Sequence, residues 1–189
     1  PNDHDVPVGQ PGELVVRHSA ETPRKWAFLG YLNKPEATEE AWRGGWFHTG
    51  DTVKQDESGM VYFVDRKKNI IRRSGENIAA AEVEAVIVGH SAVGQVACLA
   101  VPDQLRDEEV FVCVVPAPQA QTDNATARAI FEDCFAQLAY YKAPGWLLFV
   151  DSLPVTGTQK VVKHQIFEDG VDPTQLPGVY DFRDRKSVV

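Results

Sequence analysis

The sequence predicts an α+β protein in two parts, a β-rich first third and a compact second part with two main helices and antiparallel strands. The first observation is the density of turn residues up to about Val64, in VPVGQPGEL, RGGW, HTGD and QDESGM, with short apolar runs between them. The second is a change of pattern from Asp65 onward, where apolar residues at helical spacing alternate with long β-branched runs. We therefore predict a boundary inside Val64–Lys68.

In the first part, the segments ELVVR and MVYFVDR are predicted as strands. The segment KPEATEEAW is predicted as a short helix, because Pro35 suits a first helical turn and acidic residues follow it. A tight turn at 56–59 should lead into the second strand. The segment RKKN lies between the apolar runs VYFV and NIIRR, so we predict that it connects a hairpin.

In the second part, AAAEVEAVIVGH is predicted as a helix that Gly89 stops. The segments VGQVACLAVP and EEVFVCVVP are predicted as strands joined by a hairpin-like link. The segment TDNATARAIFEDCFAQLAYY is the clearest helix, with Thr122 or Asp123 as its N-cap. A further strand is predicted at WLLFVDSLP, and the polar tail after Phe167 is expected to fray.

The composition excludes several classes of protein. Nineteen Lys and Arg against 27 Asp and Glu give a net charge of −8, which disfavours nucleic acid as a partner. No apolar run approaches the length of a membrane span, so we expect none. The three cysteines fit neither a disulfide framework nor a metal site, which indicates buried thiols in a reducing, cytoplasmic setting. The histidines show no ligand spacing, so no metal site made of protein ligands is expected.

The segment GWFHTGD ends in Asp51, a candidate binding residue. An Asp in such a turn usually accepts hydrogen bonds from its own backbone. A carboxylate can also accept hydrogen bonds from both hydroxyls of a ribose, as acidic residues do in other nucleotide sites. These residues alone leave both interpretations open.

A basic run follows, with five cations within nine positions: Arg66, Lys67, Lys68, Arg72 and Arg73. It could be a solvated pair of strands or a nucleic-acid surface, although the acidic balance and the lack of interleaved aromatic residues weaken the second reading. It could also bind a compact polyphosphate, for which Ser74 and Gly75 before a helix would supply backbone N–H groups.

The segment LPVTGTQKVVKHQI places Lys160 in a turn rich in Thr and Gly. A lysine in such a turn is usually just exposed. It could instead carry a point charge toward negative charge that develops on a phosphoryl or carboxyl oxygen.

The order and spacing of these segments are more specific than any one of them. The series GWFHTGD, DESG, VDRKKNIIRRSGENIAAAEVEAV, AVPD, EEVFVCVVP and YYKAPGWLLFVDSLPVTGTQK resembles the C-terminal part of the adenylate-forming (ANL) superfamily, from about Gly12 to Ile166. That superfamily contains acyl- and aryl-CoA synthetases, luciferases and peptide-synthetase adenylation domains. Within it, RKKNIIRRSGENI looks most like AMP-dependent CoA ligases of medium-chain, carnitine-related or aryl acids.

The resemblance implies roles for single residues. Asp51 matches the residue that holds the ribose hydroxyls of ATP and of the acyl-adenylate, and Arg66 the arginine that contacts the ribose and phosphate region. Lys68 falls at the hinge position of the family, within residues 65–68.

In the second part, Ser74 and Gly75 match the loop that touches CoA, and Lys160 matches the lysine that bridges the carboxylate and the α-phosphate during adenylation. The domain that carries them rotates about the hinge in the family, so the basic run would be an interdomain hinge and nucleotide contact. Gln159 stands where Gly is usual, which suggests a stiffer tip.

The resemblance also indicates what the sequence lacks. It contains no phosphate loop rich in Ser, Thr and Gly, and the family keeps that loop and the acyl pocket in a large N-terminal domain. Residues 1–64 would then be the end of that domain, part of its β-barrel, and residues 69–189 the mobile C-terminal domain. The chain would be a fragment, inactive alone, whose partner is the rest of the N-terminal domain.

The expected activity of the whole protein is that of an AMP-forming acid–CoA ligase that uses a small-molecule carboxylate, ATP, CoA and Mg²⁺, with the Mg²⁺ ligands outside this chain. Two alternatives remain open. One is an adenylation domain that loads a carrier protein, and the other is a stand-alone, non-catalytic binding module.

Overall fold

The computed structural model describes residues 4–186. The chain divides between Lys68 and Asn69 into two compact units. Helices and two separate sheets make up these units, which confirms the predicted α+β class.

The first unit contains an antiparallel sheet of three strands in the order β1-β2-β3 and one short helix. Its elements are β1 (Pro11–Val16), α1 (Pro35–Ala41), β2 (Phe47–Gln55) and β3 (Val61–Arg66). Pro35 occupies the first turn of α1, as predicted from its fixed φ angle. The predicted turn before β3 is also present, since Asp56 O accepts the Gly59 N–H at 3.0 Å.

The second unit contains a sheet of six strands in the order β5-β4-β7-β8-β9, with β6 paired to β7. Among the strands of the described residues, only β7 and β8 pair in parallel, and the chain crosses between them through α3. The elements are β4 (Ile70–Arg73), β5 (Glu76–Ala79), α2 (Ala80–Ile87), β6 (Val93–Asp103), β7 (Asp107–Pro116), α3 (Asn124–Gln137), β8 (Trp146–Phe149) and β9 (Tyr180–Asp181).

The core of the second unit lies on both faces of β7. Val110, Val112 and Val114 pack with residues of α2 and α3, whereas Phe111 and Cys113 belong to a second cluster with Trp146 of β8. This explains the continuous apolar run in the sequence, because a strand covered on both faces shows no polar alternation.

The cysteines and the main helix cap agree with the sequence. All three thiols are free and buried, and burial raises the pKa of Cys113 and of Cys134 to about 12, so both stay protonated. Asp123 is the N-cap of α3, since its side chain accepts the Thr126 N–H at 2.9 Å.

Two predictions were wrong. The segment RKKN does not connect a hairpin, because β3 and β4 belong to different sheets and a 3₁₀ turn at Lys67–Asn69 joins them. Strand β4 forms its hairpin with β5 instead. Apolar runs that flank a short segment show that strands are present, but they do not show which strands pair.

The second wrong prediction is the frayed tail. The segment from Phe167 to Lys186, the last residue that the structure describes, is packed against the rest of the second unit. Its strand β9 pairs with β8, and the buried Phe182 ring stacks on Phe131 with 4.8 Å between ring centroids. Lys186 is also buried. The prediction failed because the segment is polar on average, whereas the few residues that attach it, in β9 and at Phe182 and Lys186, do not change that average.

Candidate functional site

Asp51 and Arg66 are brought together on neighbouring strands of the first unit. They are partners in the register of β2 and β3, and Arg66 Nε lies 2.8 Å from Asp51 Oδ1. Within residues 4–186, the buried Asp51 Oδ1 accepts no hydrogen bond of good geometry, although it forms this ion pair with Arg66. Asp51 Oδ1 is itself buried, and the 27% exposure of the Asp51 side chain lies on its other atoms, so a ligand would reach the carboxylate from that exposed side.

An irregular stretch of β2 directs Asp51. The pairing with β1 skips from Glu13 opposite Thr52 to Val15 opposite His48, so that 49–51 form a bulge. Gly50 adopts a φ of 72° in this bulge, which a side chain would resist. The bulge is fixed by the Thr49 hydroxyl, which donates to Leu14 O at 2.7 Å and accepts the Asp51 N–H at 3.1 Å.

A second charged cluster in the first unit surrounds Glu13. Its Oε2 lies 2.9 Å from Lys67 Nζ, 3.1 Å from His48 Nδ1 and 3.4 Å from Arg43 Nη2. Burial raises the pKa of the Glu13 carboxyl, but hydrogen bonds from Lys67 and His48 outweigh it and lower the pKa. Glu13 thereby anchors the residue next to Lys68, whose own side chain is exposed.

Ser74 and Gly75 form the two-residue turn between β4 and β5. Their φ angles are 49° and 85°, and a type I′ hairpin turn requires positive φ at both central positions. The Ser74 N–H donates to Arg106 O at 2.9 Å, which ties the turn to the chain before β7. A Cβ on Gly75 would meet no atom within 4 Å, so the turn is open to a ligand.

Lys160 lies in a small hairpin of its own in the second unit. Val155 and Val161 form a β-bridge at its base, and Thr156 exchanges hydrogen bonds with the Lys160 backbone, at 2.8 Å through its N–H and 3.2 Å through its hydroxyl. The Lys160 side chain is exposed. Gln159 has a φ of 63°, a region that favours glycine, so its side chain carries a backbone cost that a glycine there would not.

Supporting residues that the sequence analysis missed hold these turns. Lys163 Nζ lies 2.8 Å from Glu84 Oε1, which also accepts the Cys98 N–H at 2.7 Å and so joins the Lys160 hairpin to α2 and β6. The buried Arg73 pairs with Glu109 of β7. No local pattern indicates such pairs, because their members are far apart in sequence.

The basic run is therefore not one continuous cationic surface. Arg66, Lys67 and Arg73 each pair with a carboxylate of the chain, while Lys68 and Arg72 are exposed. Across residues 4–186, no helix is long and apolar enough to cross a bilayer. The same stretch brings no three His, Cys, Asp or Glu side chains together in a way that could hold a metal ion.

Comparison with known proteins identifies the class to which this architecture belongs. Residues 82–160 match the family "AMP-binding enzyme C-terminal domain". The chain is 38% identical over 165 residues to the crotonobetaine/carnitine–CoA ligase of Proteus mirabilis, with 87% of this chain and 31% of that protein covered. It is 37% identical over 157 residues to the 2-succinylbenzoate–CoA ligase of a Geobacillus strain, with 83% and 30% covered.

Solved structures agree with the sequence matches. The o-succinylbenzoate CoA synthetase of Bacillus subtilis, in complex with its acyl-adenylate intermediate, superimposes with a TM-score of 0.70 at 28% identity, covering 86% of this chain and 31% of that one. ATP-bound MatB of Rhodopseudomonas palustris gives a TM-score of 0.67 at 32% identity, with 84% and 30% covered.

Residues 82–160 thus match the AMP-binding enzyme C-terminal domain, and the chain is similar to the C-terminal portion of the adenylate-forming CoA ligases, which confirms the resemblance predicted from its motifs. The chain spans about a third of the length of the curated relatives it matches, 31% in the first of those comparisons.

Proposed function

We propose that this chain is the C-terminal part of an AMP-forming acid–CoA ligase. The whole enzyme condenses a carboxylate with ATP to an acyl-adenylate and pyrophosphate. The thiol of CoA then attacks the acyl carbon and AMP leaves. The names of the relatives support this proposal, since they are CoA ligases of carnitine-related, fatty and aryl acids.

The observation that carries the proposal is the Asp51–Arg66 pair. A ribose presents two adjacent hydroxyl donors, and one carboxylate can accept both. Asp51 offers a carboxylate whose Oδ1 accepts no other hydrogen bond and is buried, whose side chain is 27% exposed, and which lies beside an exposed guanidinium. We propose that Asp51 binds the ribose hydroxyls and that Arg66 contacts the ribose and phosphate region.

Lys160 acts in the first half-reaction. As the carboxylate oxygen attacks the α-phosphate, negative charge builds on the phosphoryl oxygens, and an exposed ammonium at a hairpin tip can neutralise it. The tip holds the lysine through backbone hydrogen bonds while leaving its side chain uncommitted.

Ser74 and Gly75 act in the second half-reaction. Their turn is open beyond Gly75, so the pantetheine arm of CoA can approach the backbone closely. Because two reactions need two different sets of groups around one adenylate, we propose that the second unit moves about Lys68 and presents Lys160 and the Ser74–Gly75 turn in succession.

The remaining partners of this proposal lie outside the chain. The carboxylate pocket and the phosphate loop would be provided by the rest of the N-terminal domain. Magnesium would offset the triphosphate charge, and its ligands would come from that domain or from ATP itself.

The experiment that tests this function separates the half-reactions in the full-length enzyme. Lys160→Ala should slow carboxylate-dependent ATP–pyrophosphate exchange at least 100-fold, on the order of the loss of a group that stabilises transition-state charge. Thioester formation from supplied acyl-adenylate should change much less. Lys160→Arg keeps the charge, and Lys54→Ala removes an exposed lysine of the first unit as a control. Equal losses in both half-reactions would overturn the role of Lys160.

A further inference from the structure

Three charged side chains meet inside the second unit, away from every residue assigned a direct role above. Lys186 Nζ lies 2.5 Å from Glu109 Oε1, and Arg73 Nε lies 2.8 Å from Glu109 Oε2. The side chains of Glu109 and Lys186 are 0% exposed and that of Arg73 is 6% exposed. A carboxylate on β7 thus joins two cations that lie far apart in the sequence.

The interior is shaped around the Glu109 carboxylate. The Val110 N–H donates to Glu109 Oε1 at 2.8 Å, which adds a backbone donor to the two cations. Gly145 leaves space for the side chain, since a Cβ there would lie 2.3 Å from Glu109 Cγ. Burying a charge costs free energy unless the charge is paired and hydrogen-bonded. Removing one cation would therefore leave the buried Glu109 carboxylate with too little positive charge around it.

The cluster is connected to the Ser74–Gly75 turn. Arg73 is the residue directly before the turn, and its backbone pairs with Asp107 at the start of β7. The Arg72 N–H donates to the Glu108 side chain at 2.7 Å, and the Ser74 N–H donates to Arg106 O. The hairpin therefore meets β7 through a short seam at its tip, and the Arg73–Glu109 pair is the buried side-chain link in that seam.

We propose that Lys186 is a positioning residue for the CoA-binding turn: through Glu109 and Arg73, it holds Ser74 and Gly75 in place for thioester formation. This rests on the proposed function of that turn. Lys186 does not contact the turn. It acts by keeping the Glu109 carboxylate oriented toward Arg73.

The segment that follows Phe167 places Lys186 beside Glu109. Strand β9 adds to β8, Phe182 packs on α3, and the chain then turns through 183–186. Arg183 secures the segment through Asp181 at 2.6 Å and Asp103 at 3.2 Å. Burial lowers the pKa of Lys186 to about 8 although Glu109 opposes this, so the ammonium form predominates at pH 7.

The first measurement is hydrogen exchange of the 189-residue chain at pH 7. In Lys186→Met, which keeps the aliphatic stem, amides of β4 and β5 should exchange about tenfold faster, while those of β7 and β8 change little. Lys186→Arg should retain protection, because it keeps the cation. Arg185→Met is the matched control, since Arg185 is the adjacent and exposed cation. Uniformly faster exchange, or no change in β4 and β5, would contradict the proposal.

The second measurement is kinetic and uses the full-length enzyme. Lys186→Met should raise the KM for CoA about fivefold or more at unchanged ATP–pyrophosphate exchange, as expected when a positioning group is lost. If Lys186→Met does not fold, Arg73→Lys takes its place, because it keeps the buried charge but loses the fixed guanidinium geometry. A folded variant with an unchanged KM for CoA overturns the inference, provided that Gly75→Trp does impair CoA use.

The two proposals fail in different ways. If the hairpin loosens in Lys186→Met but neither this variant nor Gly75→Trp affects CoA, the CoA assignment of the turn is wrong. If Gly75→Trp impairs CoA use while Lys186→Met leaves both hairpin exchange and CoA unaffected, the positioning role is wrong.

Discussion

Asp51 and Arg66 face each other across two neighbouring strands, with 2.8 Å between Arg66 Nε and Asp51 Oδ1. Asp51 lies at the place where the regular pairing of β2 with β1 is interrupted by the bulge. A salt bridge at such a partly exposed position adds little stability by itself. Its proposed value is to keep a carboxylate and a guanidinium ready for a nucleotide.

We predict that Asp51→Asn in the full-length enzyme lowers kcat/KM for ATP by about 10- to 100-fold, the effect of weakening hydrogen bonds to a charged acceptor. The amide keeps the shape of the side chain, so folding should be unaffected. ATP–pyrophosphate exchange measures the change, with Glu57→Gln, which neutralises an exposed carboxylate in the turn before β3, as the control. An unchanged ATP dependence would remove Asp51 from the nucleotide site.

We predict that Gly75→Trp blocks thioester formation while adenylation continues, because the ring would fill the open space beyond the turn. Any side chain at a φ of 85° carries a strain of about 1–2 kcal/mol. Gly75→Ala carries the backbone cost of a Cβ with a small side chain, and it therefore separates strain from bulk. Normal rates of CoA transfer in Gly75→Trp would count against the assignment.

We predict that Lys163→Met slows adenylation about fivefold, since it releases the Lys160 hairpin from Glu84 and so misplaces Lys160, the proposed catalytic residue. The methionine retains most of the aliphatic stem, and Lys163→Arg should restore the rate by restoring the pair. Parallel assays of the two half-reactions give the test. If thioester formation from supplied acyl-adenylate falls by the same factor, the Lys163–Glu84 pair stabilises the whole second unit and does not specifically position the Lys160 hairpin.

We predict that acid weakens the second unit partly through Asp103. Burial raises the pKa of this carboxyl, but hydrogen bonds from the Leu105 N–H, Arg183 and the Arg106 N–H outweigh it, and the pKa lies below the ordinary value of 3.8. The unfolded state then binds the proton more tightly, so the stabilisation is complete above the unfolded pKa and disappears as pH falls through the folded one.

Asp103→Asn should accordingly lower the free energy of unfolding by about 2 kcal/mol at pH 7, as expected for lost charged hydrogen bonds. The difference from the unmodified chain should shrink toward zero well below pH 4. Urea unfolding followed by circular dichroism at a series of pH values provides the comparison. A difference that persists undiminished in acid would mean that the carboxylate charge is not responsible.

Local patterns in the sequence predicted the helices and the long hairpin of the second unit. The N-cap residue Asp123 and an apolar stripe predict helix α3. Continuous β-branched runs predict β6 and β7. The candidate residues at 51, 66, 68, 74, 75 and 160 lie in short motifs that the sequence shows directly, and their roles, which follow from the order and spacing of those motifs, stay predictions.

Contacts between distant residues were not predictable in this way. The sequence around Lys186 is polar, and nothing in it indicates that its ammonium would be buried against Glu109, 77 residues earlier. The wrong hairpin at RKKN has the same origin, since the partner of β4 is decided by the Ser74–Gly75 turn and by packing on α2. Pairing depends on which buried surfaces fit together, and no single segment contains that information.

The place of β9 and Lys186 in the chain has a consequence during synthesis. At a translation rate of 5–20 residues per second, the 77 residues between Glu109 and Lys186 take about 4–15 s to make. For that interval the carboxylate lacks its second cation, and in its later part the newly made Phe131 ring and β8 lack Phe182 and β9. The nascent second unit therefore passes through a state with an open sheet edge and an uncovered aromatic ring, the kind of surface that chaperones recognise.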